Sequence, residues 1–191
     1  MDAANYLLGY LKNTQQYKPM IIYHPYKQGN GTEPRLEAFV DSGYISSEDA
    51  KSTTSWITRL NYAPIAWSCG LQSINALSSC ESEYLALTEV LKQSVWTRQV
   101  LRWMGIPIKK FDVYEDNLGT IKITAEATFF KRSKHILNRY HYVRQICNEI
   151  ANIRYVSTEL QAADLNTKMI TSPSLFERLR NALMVFTKST I

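Results

Sequence analysis

An α/β fold, a mixed sheet with helices packed on it, is what this sequence predicts, and three observations carry the prediction. Three apolar, β-prone segments follow one another early: LEAFVD, SWITRL and PIAWSC. Two long helical patterns come later, each followed by a further strand-like segment. The 191 residues, 45% hydrophobic and 20% charged, suffice for one buried core and are too apolar for a mainly disordered chain.

Element by element, residues 2–12 (DAANYLLGYLK) read as a short helix, with Asp2 as N-cap and Ala4, Leu8 and Leu11 on one stripe. An extended stretch, PMIIYHPY, follows, and then KQGNGTEP, whose Gly, Pro and polar residues mark a linker. The main domain is expected to begin after it. Asn61-Tyr62-Ala63-Pro64 supplies the turn between the second and third strands. Ser78 or Ser79 can cap a helix over Glu81 to Met104, and Gly105 sits where a C′ residue belongs. Tyr84, Leu87, Leu91 and Val95 form its buried face. The strand FDVYED ends at Asn117, and a second long helix covers residues 133–150 with Ile136, Tyr140, Val143, Cys147 and Ile150 in one stripe. NIRYVST is the next strand, and a short helix starts near Leu160. Ser172-Pro173 opens a last helix carrying Phe176, Leu179, Leu183 and Phe186.

The net charge of +5 and a pI of about 9.0 suit an anionic partner. Cys69, Cys80 and Cys147 are odd in number and widely spaced, which excludes a disulfide framework and a CxxC zinc site. They and Trp56, Trp67, Trp96 and Trp103 are expected in the core. No run reaches the ~18 apolar residues of a membrane span, so a soluble intracellular protein without membrane contact is expected.

Four acidic residues interrupt apolar patterns at element ends. Asp41 closes LEAFVD, Glu83 lies one turn before Leu87, Asp116 closes FDVYED, and Asp164 falls in the first turns of a helix after the last strand. Any one of these reads equally well as a cap or a solvated side chain. Together they could converge on one point of a mixed sheet, and oxygen-only ligands suit Mg²⁺ or Mn²⁺. A pair of such ions clamps the attacking and leaving oxygens of a phosphodiester. Spacing alone does not decide for catalysis.

The segments AFVDSGY, KSTTSWI, APIAWSCGLQS, ALSSCESEYLALTEVLKQSVW, YEDNLGTIKI, KRSKHILNRYHYVR and YVSTELQAADLNTK carry a resemblance. In this order and at these distances they resemble the ribonuclease H domain of Ty1/copia-type retrotransposon Pol polyproteins, over roughly residues 36–186. The resemblance implies a ribonuclease H-like fold, a five-stranded mixed sheet flanked by helices. It also implies metal-dependent cleavage of the RNA strand of RNA–DNA hybrids by two Mg²⁺ ions, with Mn²⁺ as substitute. Residues 1–34, beginning with DAANYLLGYLKNT, look like the connection to a reverse transcriptase domain of the same polyprotein, leaving 35–191 as the ribonuclease H domain. By position, the family's acidic tetrad falls on Asp41, Glu83, Asp116 and Asp164. Asp41 is expected to be shared by both ions, with Glu83 and Asp116 on one and Asp164 on the other. Glu81 competes for the second place, but Glu83 is the acid followed by two residues and Ala86. The first motif departs from the family: it reads DSGYISSED, with Glu48-Asp49 in place of a further Asp. No His precedes the last acid, where Thr158-Glu159-Leu160 stands.

Six basic residues lie between Thr120 and Arg144 against Glu126 alone, a local excess equal to that of the whole chain. Lys131, Arg132, Lys134, His135 and Arg139, with Ser42 and Asn117 beside the acids, are therefore the candidate nucleic-acid contacts. His135 and His141 read equally as solvated helix histidines. Two other functions stay open: a DNA-acting nuclease of the same fold, and a repurposed module that binds nucleic acid or supports a polymerase without catalysis. The resemblance places the protein in the cytoplasm within virus-like particles, or in the nucleus.

Overall fold

A central strand is covered on both faces, and Leu36–Gly43 (β2) is buried throughout up to Gly43, its polar Glu37, Asp41 and Ser42 included. The computed structural model describes residues 3–15, 17–22, 33–45, 51–125 and 134–188. Ahead of β2 lie a helix, Ala3–Thr14 (α1), and a short strand, Tyr17–Met20 (β1). After it, Thr53–Leu60 (β3) and Ala63–Leu71 (β4) form a hairpin. Its two-residue loop, Asn61-Tyr62, has φ of 47° and 71°, the left-handed pair that suits a tight hairpin. Pro64 sits in edge strand β4 beside a register shift, where its missing N–H costs no ladder bond.

Ser79–Trp103 (α2) starts and stops on its own side chains and backbone. The Ser78 hydroxyl accepts the Glu81 N–H (3.1 Å), while the Glu81 carboxylate reaches back to the Leu77 N–H (2.8 Å). At the other end the Ile106 N–H reaches the Leu101 carbonyl (2.8 Å) and the Gly105 N–H the Arg102 carbonyl (3.1 Å). Gly105 itself has φ +80°. This Schellman turn needs a left-handed residue, and nothing lies within 4 Å of a Cβ added there. Gly105→Ala should therefore cost about 1 kcal/mol of backbone strain alone, measurable as a lower denaturant midpoint at unchanged m-value.

Phe111–Glu115 (β5), Leu118–Ala125 (α3), Lys134–Glu149 (α4) and Ala151–Tyr155 (β6) complete the main layer. The sheet order is β4-β3-β2-β5-β6, antiparallel through the first three strands and parallel from β2 onward. Leu36, Ala38 and Val40 enter the main core with Leu87 and Leu91 of α2, Phe111 and Val113 of β5, and Val143 of α4. Phe39 and Ile57 face the other way, against Ala162 and Ala163. These two alanines lead into a one-turn helix, Asp164–Thr167 (α5). Pro173–Asn181 (α6) follows, and the last described strand, Val185–Lys188 (β7), pairs antiparallel with β1.

Several expectations are corrected. Helix α3 was not foreseen; it begins because the Asn117 side chain accepts the Gly119 and Thr120 N–H groups. The last helix stops at Asn181, so Leu183 lies beyond it and Phe186 belongs to β7. Strand β1 covers residues 17–20, and residues 23–26 of PMIIYHPY lie outside the described residues, as do 27–32, Glu48-Asp49 and Glu126. Only Trp56 among the tryptophans packs on the core; Trp67, Trp96 and Trp103 are 63%, 61% and 76% exposed. Cys69 is exposed and Cys80 only partly buried, whereas Cys147 packs against the main core as expected. The α1 leucines Leu8 and Leu11 face solvent, although Tyr10 meets Phe176 of α6 edge-on.

Candidate active site

The parallel register that pairs Phe39 with Tyr114 brings Asp41 and Asp116 side by side two residues later, at the C-terminal ends of β2 and β5. Such strand ends are where open α/β sheets present their ligands. Glu83 comes from the second turn of α2 and Asp164 from the start of α5. All four acids predicted from the sequence meet here. Carboxylate oxygens of Asp41, Asp116 and Asp164 lie within 4.8 Å of one another, and so do those of Glu83, Glu115 and Asp116. The acid common to both groups is Asp116.

Polar side chains, some buried and some at the surface, hold the donors in place. The Ser42 and Ser82 hydroxyls meet at 2.7 Å. The Gln72 amide donates to the Ser82 carbonyl (2.9 Å) and the Thr54 hydroxyl (3.0 Å), tying the first turn of α2 to β2 and β3. On the other face, Gln161 donates to the Val40 carbonyl (2.9 Å) and Asn166 to the Ser55 hydroxyl (3.0 Å), which pins α5 against the sheet. Thr158 donates to Asp116 at 2.8 Å, and Thr167 donates to Asp41. Lys168, one turn after Asp164, places its Nζ 2.7 Å from Asp164 Oδ1 and 3.1 Å from Asp41 Oδ1.

Burial dominates the electrostatics. It pushes the Glu83 carboxyl up to about 8, with Asp41 and Asp116 adding to the effect. Glu115 rises to about 9 by burial and then by Glu83. Asp164 rises to about 6 through burial, despite the Lys168 hydrogen bond, and burial raises Asp41 against the pull of Thr167 and Lys168. Burial works against the Lys168 ammonium, yet Asp164 and Asp41 outweigh it and raise its pKa. Glu37, equally buried, shows the contrast: two arginines, Arg35 (2.9 Å) and Arg59 (3.1 Å), and the Tyr114 hydroxyl satisfy it. Glu83 Oε2 and Glu115 Oε2 are buried and find no hydrogen-bond partner among the described residues. Buried charges are paired or coordinate metals, and among the described residues no lysine or arginine forms an ion pair with either carboxylate, although Glu115 Oε1 accepts the Asn117 N–H (3.0 Å).

Glu115, Thr167 and Lys168 were missed in the sequence. Glu115 had a readable signal, because it continues the inward alternation of Phe111 and Val113. The proposed contacts to nucleic acid are spread out. Ser42 is buried at the site, and Asn117 caps α3 next to it. Lys134 and His135 open α4, whereas Lys131 and Arg132 lie outside the described residues. Arg139 lines a cavity of about 330 Å³ with Gln72, Trp56 and Glu89, and its Nη1 has no partner among the described residues.

A mixed five-stranded sheet with flanking helices and carboxylates gathered at its central strand ends defines the ribonuclease H fold class. Among solved structures, LC11-RNase H1 in complex with an RNA/DNA hybrid superposes with a TM-score of 0.51 at 12% identity, over 69% of this chain and 93% of that one. The retrovirus-related Pol polyprotein from transposon TNT 1-94 of Nicotiana tabacum is 32% identical over 142 residues, 73% of this chain. That from transposon RE1 of Arabidopsis thaliana is 31% identical over 171 residues, 88% of this chain. The chain spans 11% of the length of either polyprotein. No family model matches. Sequence and fold agree: the chain is a homologue of copia-type Pol polyproteins and has the fold of their ribonuclease H domain.

Proposed function

We propose that this chain hydrolyses the RNA strand of RNA–DNA hybrids with divalent metal ions, as the ribonuclease H part of a copia-type polyprotein during reverse transcription. One observation carries the reading: five carboxylates gather in two groups that share Asp116, and two of them bear buried oxygens with no hydrogen-bond partner among the described residues. The donor set is all oxygen, which fits Mg²⁺, or Mn²⁺ in its place, and does not suit zinc. Two ions bound there would supply an activated water and stabilise the departing 3′ oxygen. Asp41, Asp116 and Asp164 would hold one, and Glu83 with Asp116 the other. Ser42 and Ser82 would keep Glu83 in position, and Thr158 would fix the Asp116 carboxylate. The side chains would then need little rearrangement when substrate arrives.

The basic segment would track phosphates, with Arg139 at its half-buried end. The partners would be the hybrid and a reverse transcriptase domain in the same polyprotein, in the cytoplasm within virus-like particles or in the nucleus. Among the described residues, no helix is long and apolar enough to cross a membrane.

The test is incubation with labelled RNA–DNA hybrid, double-stranded RNA and double-stranded DNA, with Mg²⁺, Mn²⁺ or chelator. The expected result is cleavage of the hybrid's RNA strand alone, lost with chelator, because 2′-hydroxyls on one strand distinguish it. Equal cutting of double-stranded DNA would favour a DNA-acting nuclease. Metal-independent binding of hybrid without cutting would favour a non-catalytic module.

A further inference from the structure

Lys168 is the cation that reaches the acidic cluster. Among the described residues, it alone forms ion pairs with the four predicted acids, at 2.7 Å to Asp164 and 3.1 Å to Asp41. Its position follows from one turn of helix: Asp164 and Lys168 are four apart, the spacing that stacks an acid and a base on one helix face. The Lys168 N–H also closes α5 on the Asp164 carbonyl (3.0 Å), so the backbone beneath the side chain is fixed. The side chain is 42% exposed, while the carboxylates it meets are 1% and 4% exposed. The ammonium therefore enters from solvent on a flexible stem, and rotamer changes of that stem alone can withdraw it.

The oxygens that Lys168 holds belong to the acids that gather with Asp116 in the first carboxylate group. A hard divalent ion takes such oxygens at about 2.0–2.1 Å. An ammonium on the same pair would then stand within a few ångströms of a double positive charge. One cation must leave. The second group, Glu83, Glu115 and Asp116, has no lysine or arginine paired to it among the described residues and carries the two unsatisfied oxygens.

We propose that Lys168 is a tethered counter-cation for the Asp41–Asp164 side of the site, which a divalent ion must displace to bind there. The lysine thus makes the two ion positions unequal: it weakens the one it covers and leaves the other free. It also balances Asp41 and Asp164 when divalent ions are scarce. The inference rests on the metal-ion reading of the site and names a regulation of it.

The test uses the full chain, with Mn²⁺ titration by calorimetry and amine acylation read by mass spectrometry. An occupant that must be displaced lowers apparent affinity by the fraction of time it is absent. Lys168→Met should therefore tighten one class of Mn²⁺ sites by roughly tenfold and leave the other unchanged. In the unaltered protein, Mg²⁺ should raise acylation of Lys168 severalfold, because the amine is released to solvent, while exposed Lys92 serves as an unchanged reference. Lys168→Gln is the second variant if the methionine form does not fold, and the acylation arm needs no variant. Equal Mn²⁺ affinity in protein and variant, or acylation of Lys168 that Mg²⁺ leaves unchanged or lowers, overturns the lysine's role while the metal reading stands. Absence of any Mn²⁺ binding to either protein overturns both.

Discussion

Asp116→Asn is expected to lose hydrolysis of hybrid by at least about a thousandfold, some 4 kcal/mol of barrier, while folding as well as the parent. Asp116 is the acid shared by both carboxylate groups, so under the two-metal proposal its charge would serve both ion positions. Asparagine keeps the oxygen that accepts the Thr158 hydroxyl, and the loop after β5 has no reason to move. Asp116 also raises the carboxyls of Asp41, Glu83, Glu115 and Asp164. Removing its charge relieves that repulsion, so without divalent ions the variant should be at least as stable as the parent. A second pair of substitutions checks the register of α2. Glu83→Gln should be inactive, whereas Glu81→Gln should stay active, because glutamine keeps an oxygen for the Leu77 N–H and loses only a charge at the helix N-terminus, about 0.3–1 kcal/mol of stability. An Asp116→Asn protein cutting at the parental rate, with melting and metal binding unchanged, would remove the two-metal assignment.

The acids were legible because each breaks a strong local pattern. LEAFVD and FDVYED are strands by composition, and α2 announces itself through Ser78, Glu81 and Gly105, so three of the four acids had a firm local frame. What stayed hidden depends on distance along the chain or on angle. β1 and β7 are four residues each, lie at opposite ends of the sequence and pair only because the fold brings them together. Trp96 and Trp103 misled by residue type, though their angle was available. At 100° per residue they lie about 100–120° around α2 from Tyr84, on the solvent side of the buried stripe. Glu115 was passed over beside the more conspicuous Asp116, although it occupies an inward position of β5. Lys168, four residues after Asp164 in a segment expected to be helical, had a readable spacing too and was passed over.

In the absence of divalent ions, stability is expected to fall as pH rises between about 5 and 9, and added Mg²⁺ should offset the loss. Glu83 and Glu115 ionise at about 8 and about 9 in the folded chain, against 4.5 ordinarily. Between those values the folded state keeps protons that the unfolded chain has released. Each such proton makes unfolding easier by about 1.4 kcal/mol per pH unit. The two carboxyls repel one another, so the pair keeps its first proton over a narrower range than either value alone implies, and the slope should be steepest near neutral pH. Asp164, at about 6, adds to the slope only at the acidic end. Divalent ions reverse the sign of the problem. They bind the ionised carboxylates and release the retained protons, so Mg²⁺ should raise the melting temperature little at pH 5 and most at pH 8–9. Glu115→Gln should flatten the pH dependence measured in chelator, because it removes one retained proton. A melting temperature that climbs with pH in chelator would mean that the buried carboxyls are already paired in solution. A melting temperature that Mg²⁺ leaves unchanged at pH 8 would mean that the unsatisfied oxygens of Glu83 and Glu115 are met by something other than a cation.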